Sequence, residues 1–142
     1  MTLKERQDEV IEEFSIFSDW MEKYNYLIEL SKEVPDIDPK HKTQEYLIDG
    51  CQSKVWLYAD YKDGVMHFSA DSDAIITKGI VALLIRVLDG LPPEEVMNAD
   101  LYFIKEIGLQ ENLSPTRSNG LLAMLKQMKL YAMAYHAREK GA

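Results

Sequence analysis

The sequence predicts an α+β domain, a small antiparallel sheet with helices packed on one face. Three observations carry this. Residues 55–70 alternate between apolar and polar side chains on either side of Asp63-Gly64, a strong two-residue hairpin turn. Residues 75–88 are apolar nearly all round, as in a helix buried in a core. Helical periodicity precedes the hairpin and returns after it, so helices flank one sheet.

The elements follow in order. Thr2-Leu3-Lys4-Glu5 matches a capping box, and Leu3, Val10, Phe14 and Phe17 then share one helical stripe. Asp19, with Glu22 three residues later, starts a second helix carrying Trp20, Tyr24, Leu27 and Ile28. Val34-Pro35 ends it, because a residue before proline is pushed out of the helical region. Residues 35–43 read as a surface loop.

Placing the turn at Asp63-Gly64 pairs Lys62 with Val65, Tyr61 with Met66, Ala59 with Phe68 and Leu57 with Ala70. One face then holds Val55, Leu57, Ala59, Tyr61, Met66, Phe68 and Ala70. The other holds Lys54, Trp56, Tyr58, Asp60, Lys62, His67 and Ser69, and a one-residue slip would scramble the separation. Two roles stay open for Trp56 and Tyr58: cover by a helix, or part of a partner surface. Asp71-Ser72-Asp73 is expected to cap the apolar helix, which runs to about Leu88 and stops at Asp89-Gly90. Pro92-Pro93-Glu94-Glu95 suits the first turn of a short helix. A further helical piece is expected over 99–107, ending at Gly108. Ser114-Pro115 fits N-cap and N1 of the last helix, with Ser118 as an alternative start; Leu121, Leu125, Met128, Ala132 and Tyr135 line its stripe.

Size and composition set limits. The 142 residues are 46% hydrophobic, enough for a core without staples, and one domain over 1–142 is expected. A formal charge of −8 argues against nucleic acid as a partner, since phosphate binding needs clustered Lys and Arg. The charged N-terminus lacks the apolar core of a signal peptide, and the longest apolar run, Gly79 to Ile85, is too short for a bilayer. No membrane partner is expected, and the cytoplasm is the default.

The chemistry narrows quickly. The three histidines, His41, His67 and His136, have no ligand spacing, and one cysteine cannot anchor a zinc or iron–sulfur site alone. His41 and His136 are expected to be solvated, and His67 to sit on the polar sheet face. There is no phosphate loop. The single thiol, Cys51, lies in Asp49-Gly50-Cys51-Gln52-Ser53-Lys54. These neighbours suit a loop or strand edge, and Gly50 permits a sharp turn. Two readings of Cys51 stand at this point. It is a small buried hydrophobe, or an accessible thiol given thiolate character by Lys54. Parity adds that 51, 53 and 55 would share the apolar face, tucking the sulfur partly in.

Three blocks carry a family resemblance. Residues 50–56, Gly-Cys-Gln-Ser-Lys-Val-Trp, are similar to the signature of the SufE/CsdE sulfur-acceptor proteins. So are residues 71–79, Asp-Ser-Asp-Ala-Ile-Ile-Thr-Lys-Gly, and residues 113–121, Leu-Ser-Pro-Thr-Arg-Ser-Asn-Gly-Leu. The blocks lie in family order, and the resemblance spans nearly the whole chain. It implies a fold shared with the IscU scaffolds and a pyridoxal-phosphate cysteine desulfurase partner of SufS or CsdA type. It further implies that Cys51 accepts persulfide sulfur and passes it to a SufBCD-type cluster scaffold, with no cofactor of its own. Cys51 matches the acceptor. Arg117 matches the arginine of the Pro-[Ser/Thr]-Arg-Ser block, implying a supporting role; a first-turn helix residue paired to a carboxylate is its plainer reading. An IscU-like metal or cluster scaffold bridged through a dimer is the alternative, and Asp and Ser at the turn into the core helix, where a scaffold places a cysteine, argue against it. A docking adaptor with an inert cysteine is a further alternative. Oligomeric state stays open, a homodimer included.

Overall fold

The computed structural model describes residues 1–141. Helix α1 (Leu3–Ser15) opens with the expected capping box: Thr2 Oγ1 accepts from Glu5 N, and Glu5 Oε1 accepts from Thr2 N at 2.9 Å. Helix α2 (Trp20–Leu30) is capped by Asp19, whose carboxylate accepts Glu22 N at 2.9 Å. A 3₁₀ turn over Ser31–Glu33 follows, and Val34 is extended before Pro35. Strands β1 (Val55–Lys62) and β2 (Val65–Ser72) form one antiparallel hairpin in the predicted register, from Lys62–Val65 through Leu57–Ala70 to Val55–Ser72. Asp63 and Gly64 both take positive φ, as that turn demands.

The apolar hairpin face is sealed: Val55, Leu57, Ala59, Met66, Phe68 and Ala70 are buried. Helix α3 (Ile75–Leu88) packs against β2, and α7 (Pro115–Gly141) packs against β1 and α3. Helix α3 also lies against α2 at Gly79, where a Cβ would come within 2.2 Å of the Leu27 carbonyl oxygen. Arg86 ties α3 to α1 through Glu13 and, at 2.6 Å, Glu9. Hydrogen bonding to Arg86 holds the Glu13 carboxyl below its usual range.

A two-stranded sheet is marginal alone and has two open edges. Here both edges are occupied. Along β2, the N–H groups of Met66, Phe68 and Ala70 donate to Leu91 O (2.9 Å), Asp89 Oδ1 (2.7 Å) and Pro35 O (3.1 Å). Along β1, the carbonyls of Val55, Leu57 and Ala59 accept from Ile48 N (2.9 Å), Tyr131 Oη (2.8 Å) and Tyr135 Oη (3.0 Å). Helix α7 thus covers the β1 edge with phenol hydroxyls, and the segment before β1 adds a bridge, Leu47 to Trp56.

Several expectations need correction. Residues 35–43 are not a plain surface loop: Ile37 is buried, Asp36 bridges to Ala70, and the chain forms a strap across the outer sheet face. The cover over Trp56 and Tyr58 is that strap, in which Pro39–His41 form one 3₁₀ turn, and not an α-helix. His41 stacks on Tyr58 at 3.7 Å between ring centroids, and Lys42 Nζ sits 4.8 Å over the Trp56 ring. His41 is therefore not simply solvated, and its Nδ1 is enclosed; so is that of His136, 3.7 Å from a Glu139 carboxylate oxygen.

The triplet Asp71-Ser72-Asp73 does not cap α3 either. Asp71 and Ser72 belong to β2, and the N-cap is Ala74, with no side-chain cap. Asp71 is instead drawn to Lys42 (2.7 Å) and Lys78 (3.3 Å), and Asp73 Oδ1 accepts Lys54 N at 3.0 Å. Finally, residues 99–107 are helical only over α5 (Phe103–Glu106), between α4 (Pro93–Met97) and α6 (Leu109–Asn112). Buried Gln7 of α1 donates to Asp100 O at 3.1 Å and accepts Phe103 N at 3.2 Å, capturing the backbone groups a longer helix would use. α7 begins at Pro115, and Ser114 Oγ accepts Arg117 N at 3.3 Å, deciding for Ser114 over Ser118 as the cap.

Candidate functional site

Cys51 sits in the connection from Ile48 to β1, and the ends of that connection are pinned. Ile48 N donates to Val55 O, while Lys54 and Asp73 are joined by Asp73 N to Lys54 O at 3.2 Å and Lys54 N to the Asp73 carboxylate. Ser72 Oγ donates to Lys54 O at 2.9 Å. The polar triplet expected to start a helix therefore closes the base of the cysteine loop. Between the pins, Gly50 turns the chain at φ 92°, in the left-handed region where a side chain would be strained. A Cβ there would also meet Ala123 of α7 at 3.4 Å.

That turn lays Cys51 against the first turns of α7. Its sulfur lies 3.7 Å from the Gly120 carbonyl oxygen, the one hydrogen bond the thiol makes among the described residues. The residue is half-buried. Beside the sulfur is a recess of about 20 Å³ lined by Gln52, Ser53, Thr77, Thr116, Arg117 and Gly120. Three segments meet here: the loop, the start of α3 (Thr77) and the start of α7. These are the three blocks singled out in the sequence, and the fold brings them to one point.

The electrostatics correct one expectation. Burial pushes the Cys51 thiol above its ordinary value, and Lys54 supplies no opposing pull. The resting thiol is thus protonated at neutral pH, not primed as a thiolate. Arg117 is exposed, lines the recess and makes no ion pair among the described residues, so the carboxylate partner its plainer reading requires is absent there. The histidines lie elsewhere: His41 under the strap, His67 beside Asp89 at 3.2 Å, and His136 near Glu139. Among the described residues no three His, Cys, Asp or Glu side chains converge as metal ligands. Thr77, Thr116 and Gly120 carry no sequence signal of their own, although all three lie inside the quoted blocks. Their convergence on one recess beside Cys51 is a product of the fold.

The SufE profile, an Fe-S metabolism associated domain, matches residues 8–132. The chain belongs to the SufE family. An uncharacterised SufE-like protein of Rhizobium etli is 39% identical over 127 residues, covering 86% of each chain. A second, from Rhizobium meliloti, is 35% identical over 127 residues, 86% of this chain and 91% of that one. The chloroplastic/mitochondrial SufE-like protein 1 of Arabidopsis thaliana is 36% identical over 140 residues, which is 98% of this chain and 37% of that longer protein. The solution structure of a hypothetical protein from Thermus thermophilus shares the fold, with a TM-score of 0.75 and 24% identity, over 91% of this chain and 94% of that one. The SufE family is associated with Fe-S metabolism. Family membership does not by itself assign the cytoplasm, because one relative is named for organelles. Among the described residues no helix is long and apolar enough to cross a membrane.

Proposed function

We propose that this chain, as one domain over residues 1–142, is a sulfur acceptor and carrier for iron–sulfur cluster assembly. Cys51 is the acceptor. The Cys51 thiolate attacks the outer sulfur of a cysteine persulfide on a pyridoxal-phosphate cysteine desulfurase of SufS or CsdA type. A new S–S bond forms at Cys51, the donor S–S bond breaks, and its electron pair leaves on the desulfurase cysteine as a thiolate. The exchange is redox-neutral and needs neither a metal nor a resolving thiol. The same step, run with Cys51 as donor, hands the sulfur to a SufBCD-type scaffold. The protein acts as an accessory of the desulfurase, not as a stand-alone enzyme, and Arg117 supports the acceptor from the recess wall.

One observation carries the reading: the chain's only thiol lies where the three family blocks meet, half-buried, in a loop pinned at its ends and held at its tip by one weak sulfur contact. A protonated, sheltered thiol is a poor nucleophile, so the loop swings outward when the desulfurase docks. The shelter in turn protects the loaded persulfide from oxidation between partners. Mass spectrometry after incubation with a desulfurase and free cysteine tests this. One added sulfur atom on the peptide holding Cys51 is expected; no adduct there would refute the reading. Hydrogen exchange across residues 48–53 is expected to rise on adding the desulfurase, and unchanged exchange would count against the swing.

A further inference from the structure

Gly120 occupies a position where glycine has no local justification. It lies inside α7, with φ in the ordinary helical range, and a helix interior favours alanine over glycine. Nor does the resting thiol exclude a side chain. A Cβ at 120 would lie 3.6 Å from Cys51 Sγ, ordinary van der Waals contact, with nothing nearer. Alanine would improve the helix and fill the space beside the sulfur, so the glycine preserves a gap that the free thiol does not use.

The gap has a definite capacity. The recess measures about 20 Å³, room for one water-sized atom. An outer sulfur would sit about 2.05 Å from Sγ, the length of an S–S bond. Directed at Gly120, it would lie far inside the contact distance of a methyl group there. With glycine at 120 the space left is the recess lined by the hydroxyl-bearing Thr77 and Thr116, under the pinned loop.

We infer that Gly120 is a specificity-determining residue, whose missing side chain keeps room for the outer sulfur of a Cys51 persulfide and for no larger adduct. This rests on Cys51 being a persulfide acceptor. The loop closes over a carrier holding one sulfur atom. A glutathione mixed disulfide at the same thiol is too large for the recess and holds the loop open.

The test compares the parent with Gly120→Ala, each loaded by a desulfurase and free cysteine and then separated from both. Glutathione is added, and loss of the extra sulfur is followed by mass spectrometry. The parent persulfide is expected to outlast that of Gly120→Ala by about tenfold, the scale of destabilisation when one methyl overpacks a fitted site. Equal lifetimes overturn the inference. A thermal midpoint of the unloaded variant at or above the parent's is also expected; a clear fall would show that glycine serves the resting packing, and would overturn it too. Absence of any adduct on the parent's Cys51 is a different failure, that of the acceptor reading itself.

Discussion

Two corners of the sheet are held in contrasting ways. At the corner where α3 ends, Asp89 Oδ1 takes Phe68 N at 2.7 Å, Gly90 N donates to Met66 O at 2.6 Å, and Met66 N returns to Leu91 O at 2.9 Å. Arg6 closes the helix end through the carbonyls of Val87 (3.2 Å) and Asp89. At the opposite corner, where α3 begins, the loop carrying Cys51 is fastened at its base, but its tip is held by one 3.7 Å sulfur contact. Sulfur is a weak donor, whereas the Asp89 corner uses backbone groups and a carboxylate. The fold is therefore firmly tied where a helix is anchored to the sheet, and lightly latched at the thiol.

The largest effect that would break this contrast concerns the thiol. Cys51→Ser is expected to abolish sulfur uptake, while unfolding free energy stays within about 0.5 kcal/mol of the parent. Mass spectrometry and urea unfolding measure the two, and sulfur uptake by the variant would remove Cys51 from the mechanism. Next comes Asp89→Ala, which leaves Phe68 N without its acceptor and is expected to cost about 1–3 kcal/mol. Its rate of Cys51 alkylation under native conditions should match the parent's; a parallel rise would show the corners to be coupled.

A smaller effect lies in pH. Because burial raises the Cys51 thiol, the folded state favours its protonated form. That preference adds no penalty below the thiol's ordinary range, and the folded state loses stability as pH rises from that range towards the raised folded value, because the unfolded thiol ionises first. Alkylation of native protein should accordingly rise at higher pH than alkylation of the urea-unfolded chain, and coincident profiles would contradict the shelter. The smallest effect is expected from Lys42→Ala, which cuts the strap's 2.7 Å ion pair to Asp71 and its contact with Trp56. The pair is partly exposed, so about 0.5 kcal/mol and about a twofold faster Cys51 alkylation are expected. A much larger change would mean that the strap, not Gly120, latches the loop.

Much of this was legible without coordinates. The hairpin register followed from period-two alternation about Asp63-Gly64, the caps at Thr2, Asp19 and Ser114 from local chemistry, and the extent of α3 from its apolar run and Asp89-Gly90. Misreadings arose where a distant partner captured a local signal. Asp71-Ser72-Asp73 has the composition of a helix cap, yet Lys42, Lys78 and Lys54 claim its carboxylates. Residues 99–102 have helical composition, yet Gln7, ninety-odd positions earlier in the chain, takes the hydrogen bonds.

The sequence by itself determined the secondary-structure frame, the family and the identity of the one thiol, because periodicity, turn chemistry and motif order are short-range properties of a chain. Only the tertiary structure decided that the thiol is sheltered and protonated, that Arg117 shares its recess, and that Gly120 leaves the space beside the sulfur. Those depend on where α7 lies against a loop 69 residues away in the chain, and packing at that separation leaves no local signature.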